Sequence, residues 1–255
     1  MYDKNGYIGV FDSGVGGISV LRHLVKQLPR ERFLYFGDSA NAPYGTRPTA
    51  QIQKLAGNVA RYLVGRNVKA LVVACNTATA AAIAHLRATY PDLVIIGIEP
   101  ALKPAALRFP GGTVGVMATN ATLREEKFHQ LLALYGDGVR VVNLPAPGVV
   151  ELVEQGKADS PEMDALLEPL LGPWRGKLDG LVLGCTHYPF AAASVRRVLG
   201  QEVQLFDGGE GTARQTRRRL ELEGLLREDG PGEVIFENSA NDPALIRLSR
   251  ILLES

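Results

Sequence analysis

Thiols are scarce in this chain: 255 residues include two cysteines. That is too few for the disulfide framework of a small secreted domain, so a reducing cytoplasm is the expected setting. Long apolar runs are also missing. The longest stretch without a charge, 70–84, is interrupted by Asn76, Thr77 and Thr79. It falls short of the roughly 20 apolar residues that a membrane-spanning helix needs. No signal peptide is expected, because Asp3 and Lys4 lead into a short apolar run that ends at Asp12. A surplus of either charge sign is absent too, the formal net charge being +1. Neither a nucleic-acid partner nor an anionic membrane is expected on that account. The one basic run, Arg217 to Arg219, shares a helix-like stretch with Glu221 and Glu223 and reads as a solvated helix face.

What is present is a regular alternation. Short apolar runs occur at 7–12, 32–38, 70–75, 93–98, 113–118, 139–144, 180–185 and 203–207. They are rich in β-branched residues and apolar on both faces, which fits parallel strands covered on both sides. Between them lie stretches such as ISVLRHLVKQL, with apolar positions at helical spacing. The expected class is therefore α/β, with mainly parallel sheets and crossover helices on both sheet faces.

The eight runs fall into two similar sets of four. The first run of each set reads IGVFDSGVGG and VGVMATNATL, with Val10 and Val116 lying 106 residues apart. The third reads VVACNTATA and LVLGCTHYPF, and here Cys75 and Cys185 are 110 residues apart. Two pseudo-symmetric α/β units are expected, residues 99–209 forming the second. The tail adds a ninth strand-like run and a last helix, too short for a domain. It is expected to return to the first unit, giving 1–98 with 210–255.

Ligands of open α/β sheets bind beyond the carboxyl ends of the strands. The polar clusters sit at those ends: Asp12 and Ser13; Asp38 and Ser39; Cys75, Asn76 and Thr77; Thr119 and Thr122; Cys185, Thr186 and His187. If the units face each other, both thiols reach one cleft from opposite sides. A helix is expected just after each cysteine, and its free N–H groups favour an anion or a thiolate. His187 is placed to share a proton with Cys185, and Asp12 to do the same for Cys75. Matched acid–base groups on two faces of a small site suit inversion of a carbon centre, one removing a proton while the other delivers one. The hydroxyls, Asn76 and the helix ends would hold a carboxylate substrate. The loop NAPYGTR at 41–47 brings Tyr44, and Gly45 beside it would let a backbone N–H approach a ligand.

Other readings of the same residues are weaker. Gly14, Gly16 and Asp38 stand where a dinucleotide fold would use them, but Ser19 replaces the third glycine and both thiols stay unexplained. Zinc held by Cys75, Cys185 and His187 would lack the usual ligand spacing. A disulfide is disfavoured by compartment, a covalent nucleophile needs one thiol only, and no lysine near the strand ends suggests a Schiff base. Buried inert thiols remain the plain alternative for either cysteine alone.

FDSGVGG (11–17), APYG (42–45), ACNTAT (74–79) and GCTHYPF (184–190) together closely resemble the signature segments of the glutamate racemases, cofactor-independent enzymes grouped with aspartate racemases. The similarity runs from residue 8 to at least 210. It implies interconversion of L- and D-glutamate without any cofactor, feeding peptidoglycan synthesis in the bacterial cytoplasm, and a homodimer. Cys75 with Asp12 would serve the D enantiomer, and Cys185 with His187 the L enantiomer. Substrate contacts would come from Asp12, Ser13, Tyr44, Gly45, Asn76, Thr77, Thr186 and His187, joined by Thr119 and Thr122. The family also has a glutamate supporting the second cysteine. In PGVVELVEQG, Glu154 takes that place, and Glu151 stands where proline is typical. The rival readings are a racemase of aspartate or another amino acid, separable by which D-amino acid builds up, and a two-lobed binding protein for an acidic amino acid, separable by turnover.

Overall fold

The computed structural model describes residues 2–254. Among these residues, nine strands form two fully parallel sheets. The first contains β1 (Ile8–Asp12), β2 (Arg32–Gly37), β3 (Ala70–Val73), β4 (Val94–Gly97) and β9 (Glu233–Asn238), ordered β4-β3-β1-β2-β9. The second contains β5 (Thr113–Ala118), β6 (Arg140–Pro145), β7 (Gly180–Leu183) and β8 (Gln204–Asp207), ordered β6-β5-β7-β8. Read from its other edge, the second order is β8-β7-β5-β6. That matches β4-β3-β1-β2 strand for strand, so the repeat seen in sequence is a repeat of topology. The strand from the tail is the addition. It extends the first sheet along β2, with Arg32 opposite Glu233 and Gly37 opposite Asn238.

Among the described residues, eleven α-helices connect and cover the strands. They are α1 (Ile18–Gln27), α2 (Thr49–Gly65), α3 (Asn76–Thr89), α4 (Leu102–Arg108), α5 (Asn120–Arg124), α6 (Glu126–Tyr135), α7 (Val149–Glu154), α8 (Pro161–Leu171), α9 (Ala192–Leu199), α10 (Gly209–Leu222) and α11 (Pro243–Glu254). None is long and apolar enough to cross a membrane. Helices α1, α10 and α11 pack together on one face of the first sheet, and α2 with α3 on the other. Arg217 and Arg219 pair with Glu221 and Glu223 one turn on, as the solvated-face reading expects.

Strand alternation sorts the core. Ile8, Val10, Ala70 and Val72 enter one apolar cluster, while Phe11, Leu71 and Val73 enter a second beneath α2 and α3. The same period holds in the second sheet: Met117, Leu181 and Leu183 join the first cluster, and Val114, Val116 and Val182 a third. One cluster thus runs through both sheets and presses the two units together. At the far end of the first sheet, a fully buried Lys69 Nζ meets Glu31 Oε2 at 2.6 Å and donates to the Leu225 carbonyl at 2.8 Å. Glu31 also accepts the Arg227 N–H, at 2.9 Å. These bonds tie the segment leading to β9 onto the first sheet. A charge pair so buried exists only because each member holds the other.

Candidate active site

Because all strands of a sheet run the same way, Asp12 and Cys75 leave the first sheet at one end, and Thr119 and Cys185 leave the second sheet likewise. Those ends meet. The three hydroxyls of Thr77, Thr119 and Thr122 form a triangle with sides of 3.0, 3.1 and 3.0 Å, joining α3 of the first unit to the cap of α5 in the second. Thr186 Oγ1 donates to Asp12 Oδ2 across the same boundary at 2.9 Å, and Asp12 Oδ1 accepts the Gly14 N–H at 3.0 Å. Both cysteines are free and buried here, close enough that charge on Cys185 bears on Cys75.

The two thiols have different settings. Cys75 is itself the cap of α3: its sulfur accepts the Ala78 N–H at 3.4 Å and lies 3.8 Å from Ser13 Oγ. Burial, reinforced by the charge of Asp12, still pushes this thiol well above its ordinary range. Asp12 makes no hydrogen bond to the sulfur and acts on it through space. Its own carboxyl is raised by burial, the nearby His187 opposing that rise.

Cys185 does not cap a helix, contrary to expectation. A tight turn over Tyr188–Ala191 follows, with Pro189 in its first positions, and α9 begins only at Ala192. The buried Tyr188 hydroxyl donates to the Ala146 carbonyl at 3.0 Å and fixes that turn. In place of helix N–H groups, Cys185 has an imidazole: Sγ lies 3.8 Å from His187 Nδ1, and His187 Nε2 lies 2.8 Å from Glu154 Oε1. Burial opposes protonation of this ring, but its bonds to Cys185 and Glu154 outweigh burial and hold it well above the usual histidine range. For Glu154, burial raises the carboxyl, while the His187 bond and the Val15 N–H at 2.8 Å more than offset this and lower it. Glu154 is therefore the glutamate in contact with the histidine, whereas Glu151 is exposed on the same short helix.

The glycine-rich loop after β1 serves the meeting of the units. A Cβ at Gly14 would overlap the Glu154 carboxylate, and one at Gly16 would overlap the His187 ring. His187 is buried, Glu154 is half-buried, and both are hydrogen-bonded, so neither yields cheaply. The space a dinucleotide would take beside this loop is filled by the second unit. Gly45 packs against Thr119 less tightly, bringing the 41–47 loop over α5. Tyr44 is buried and spends its hydroxyl on Asp38 Oδ2, at 2.6 Å. Among the described residues, no three His, Cys, Asp or Glu side chains group as a metal site requires. Asn76 Oδ1 is buried without a hydrogen-bond partner, a costly state for an amide oxygen.

Sequence reasoning missed two supports. Tyr35, buried in β2, donates to the Gly14 carbonyl at 2.6 Å, and Ser19 donates to the Thr186 carbonyl at 2.8 Å. Ser19 carried a visible signal, as the residue that breaks the glycine pattern. Asp38, one of the strand-end polar residues, holds Tyr44 and Asn41.

Two parallel α/β units thus meet at a buried boundary that holds both free thiols, with Asp12 near Cys75 and His187 beside Cys185. The Asp/Glu/hydantoin racemase family model matches residues 8–216, and the chain belongs to that family of isomerases. It is 48% identical over 249 residues to the glutamate racemase of Clostridium novyi, covering 96% of each chain. The structure of the Thermus thermophilus glutamate racemase with β-chloro-D-alanine shares 39% identity at a TM-score of 0.80, covering 99% of this chain and 94% of that one. The Francisella tularensis glutamate racemase in complex with D-glutamate gives 29% identity and 0.85, over 99% and 95%.

Proposed function

We propose that the protein interconverts L- and D-glutamate without a cofactor, Cys75 and Cys185 being the two acid–base groups. The observation that carries this reading is the pair of thiols at corresponding strand ends, brought to one buried boundary with unlike partners. From L-glutamate, the Cys185 thiolate takes the α-proton and the Cys75 thiol delivers another to the opposite face. The reverse reaction exchanges the roles. Burial that raises Cys75 favours the protonated donor, and His187, held by Glu154, stands beside Cys185 to exchange its proton.

The unpartnered Asn76 oxygen accepts from the substrate ammonium. The hydroxyls of Ser13, Thr77, Thr119, Thr122 and Thr186, with the N–H groups opening α3, take its carboxylates. Tyr44 and Gly45 close the site from above. Glutamate as the substrate is supported by the relatives' names and by the D-glutamate bound to the Francisella enzyme. The same resemblance supports a cytoplasmic homodimer whose product feeds peptidoglycan. Strand membership supports a division into 1–98 with 210–255 and 99–209.

Incubation with L-glutamate in deuterium oxide tests the reaction. The D product should carry deuterium at its α-carbon; unlabelled D-glutamate would rule out exchange through two thiols, and binding without inversion would mark a receptor.

A further inference from the structure

Ser19 stands in the first turn of α1, where a dinucleotide loop would have its third glycine. It is buried, and its hydroxyl reaches across the unit boundary to the Thr186 carbonyl, at 2.8 Å. The Thr186 hydroxyl returns to Asp12 at 2.9 Å. Thr186 is thus held at both its backbone and its side chain, and it is the residue between Cys185 and His187. The helix that carries Ser19 is in turn fixed by packing on α10 and α11. Proton transfer requires heavy atoms within hydrogen-bonding reach, so a small rotation of the 185–187 segment changes its rate steeply.

We propose that Ser19 is a positioning residue for the proton transfer made by Cys185. It touches neither the reacting carbon nor a group that exchanges the proton, and acts by holding the Thr186 carbonyl. The inference rests on the two-thiol reading above. Without the Ser19 hydroxyl, a buried carbonyl loses its donor and the segment turns to find another.

The enantiomers have equal free energy, so kcat/KM must fall by the same factor in both directions whichever thiol is disturbed. Primary isotope effects separate the two sides. In Ser19→Ala, kcat/KM is expected to fall about tenfold, the loss of one buried hydrogen bond. The isotope effect on kcat/KM should rise with α-deuterated L-glutamate, because Cys185 removes that deuteron in the slowed step. It should fall with α-deuterated D-glutamate, where Cys75 removes the label before the slowed step. The isosteric pair Ser19→Thr and Ser19→Val guards against a mere packing effect: Thr should stay near the parent, and Val should reproduce the Ala pattern. Unchanged activity in Ser19→Ala, equal shifts of both isotope effects, or unfolding of the Ala and Val variants alone would overturn the proposal. If the parent protein takes up no solvent deuterium, the two-thiol reading fails and this inference falls with it. A parent that exchanges normally beside an indifferent Ser19→Ala sinks this inference alone.

Discussion

The two halves of the site share a strand order and differ in nearly everything else. On the Cys75 side the backbone does the work: the thiol caps α3 and takes one of its free N–H groups. On the Cys185 side no α-helix begins for seven residues, and side chains supply the field through His187 and Glu154. One thiol is pushed up by burial and a carboxylate, while the other faces a ring held toward its cation. The lesson is that duplicated topology fixes where two groups stand, whereas local structure decides what surrounds each. The two-base inversion proposed above needs unlike surroundings, since one group must give a proton while the other takes one.

The strongest way to break this comparison is to remove either sulfur. Cys75→Ala and Cys185→Ala should each lower racemisation about 10³-fold or more, as the loss of a positioned acid–base group does. Circular dichroism should show both variants folded. A variant retaining most of its turnover would show that the two sides are not both needed.

Next comes Glu154→Gln, which sharpens the electrostatic difference. Turnover should fall about tenfold to a hundredfold, and the His187 titration followed by NMR should move down toward 6.5, its ordinary value. Stability carries a signature as well. The folded pKa of His187 is raised, so its share of stability is complete below 6.5 and is lost as pH rises through the folded value. That of Glu154 is lowered, so its share is present above 4.5 and is lost as pH falls through the folded value. The melting difference between parent and variant should therefore be greatest between those two figures and shrink in alkali. A pH-independent difference would contradict the ion pair.

Gly14→Ala probes the seam between the halves. The added methyl meets the Glu154 carboxylate, so destabilisation of about 1–3 kcal/mol is expected by denaturant titration. An unchanged midpoint would mean that the units have room to part. The smallest effect on folding should come from Asp12→Asn, and in the opposite direction. Burial raises the Asp12 carboxyl, so the parent bears a cost at high pH that vanishes as the group protonates. The variant should melt slightly higher than the parent near pH 8, with the gain fading in acid, even as racemisation drops.

Much of this protein was legible before its structure. The eight apolar runs became strands to within two residues at their ends, because parallel strands covered on both faces need unbroken apolar sequence. The clustering of polar residues at strand ends located Cys75, Asn76, Thr77, Thr119, Thr122 and Cys185. Glu154 was favoured over Glu151 by its place in PGVVELVEQG, and three residues of helix rotation separate a bonded carboxylate from an exposed one. The helix read from FAAASVRRVL is present as α9, but it does not start at Cys185, because helical spacing says nothing of the turn that Pro189 and Tyr188 impose ahead of it.

Sequence alone determined the class, the repeat and the residue types that end each strand, since these follow from local periodicity and spacing. Tertiary structure alone decided which of those ends touch. The reach of Ser19 to Thr186 and of Val15 to Glu154 depends on how two sheets dock through one shared core. A hydrogen bond between residues 167 or 139 positions apart leaves no periodic trace in a single chain.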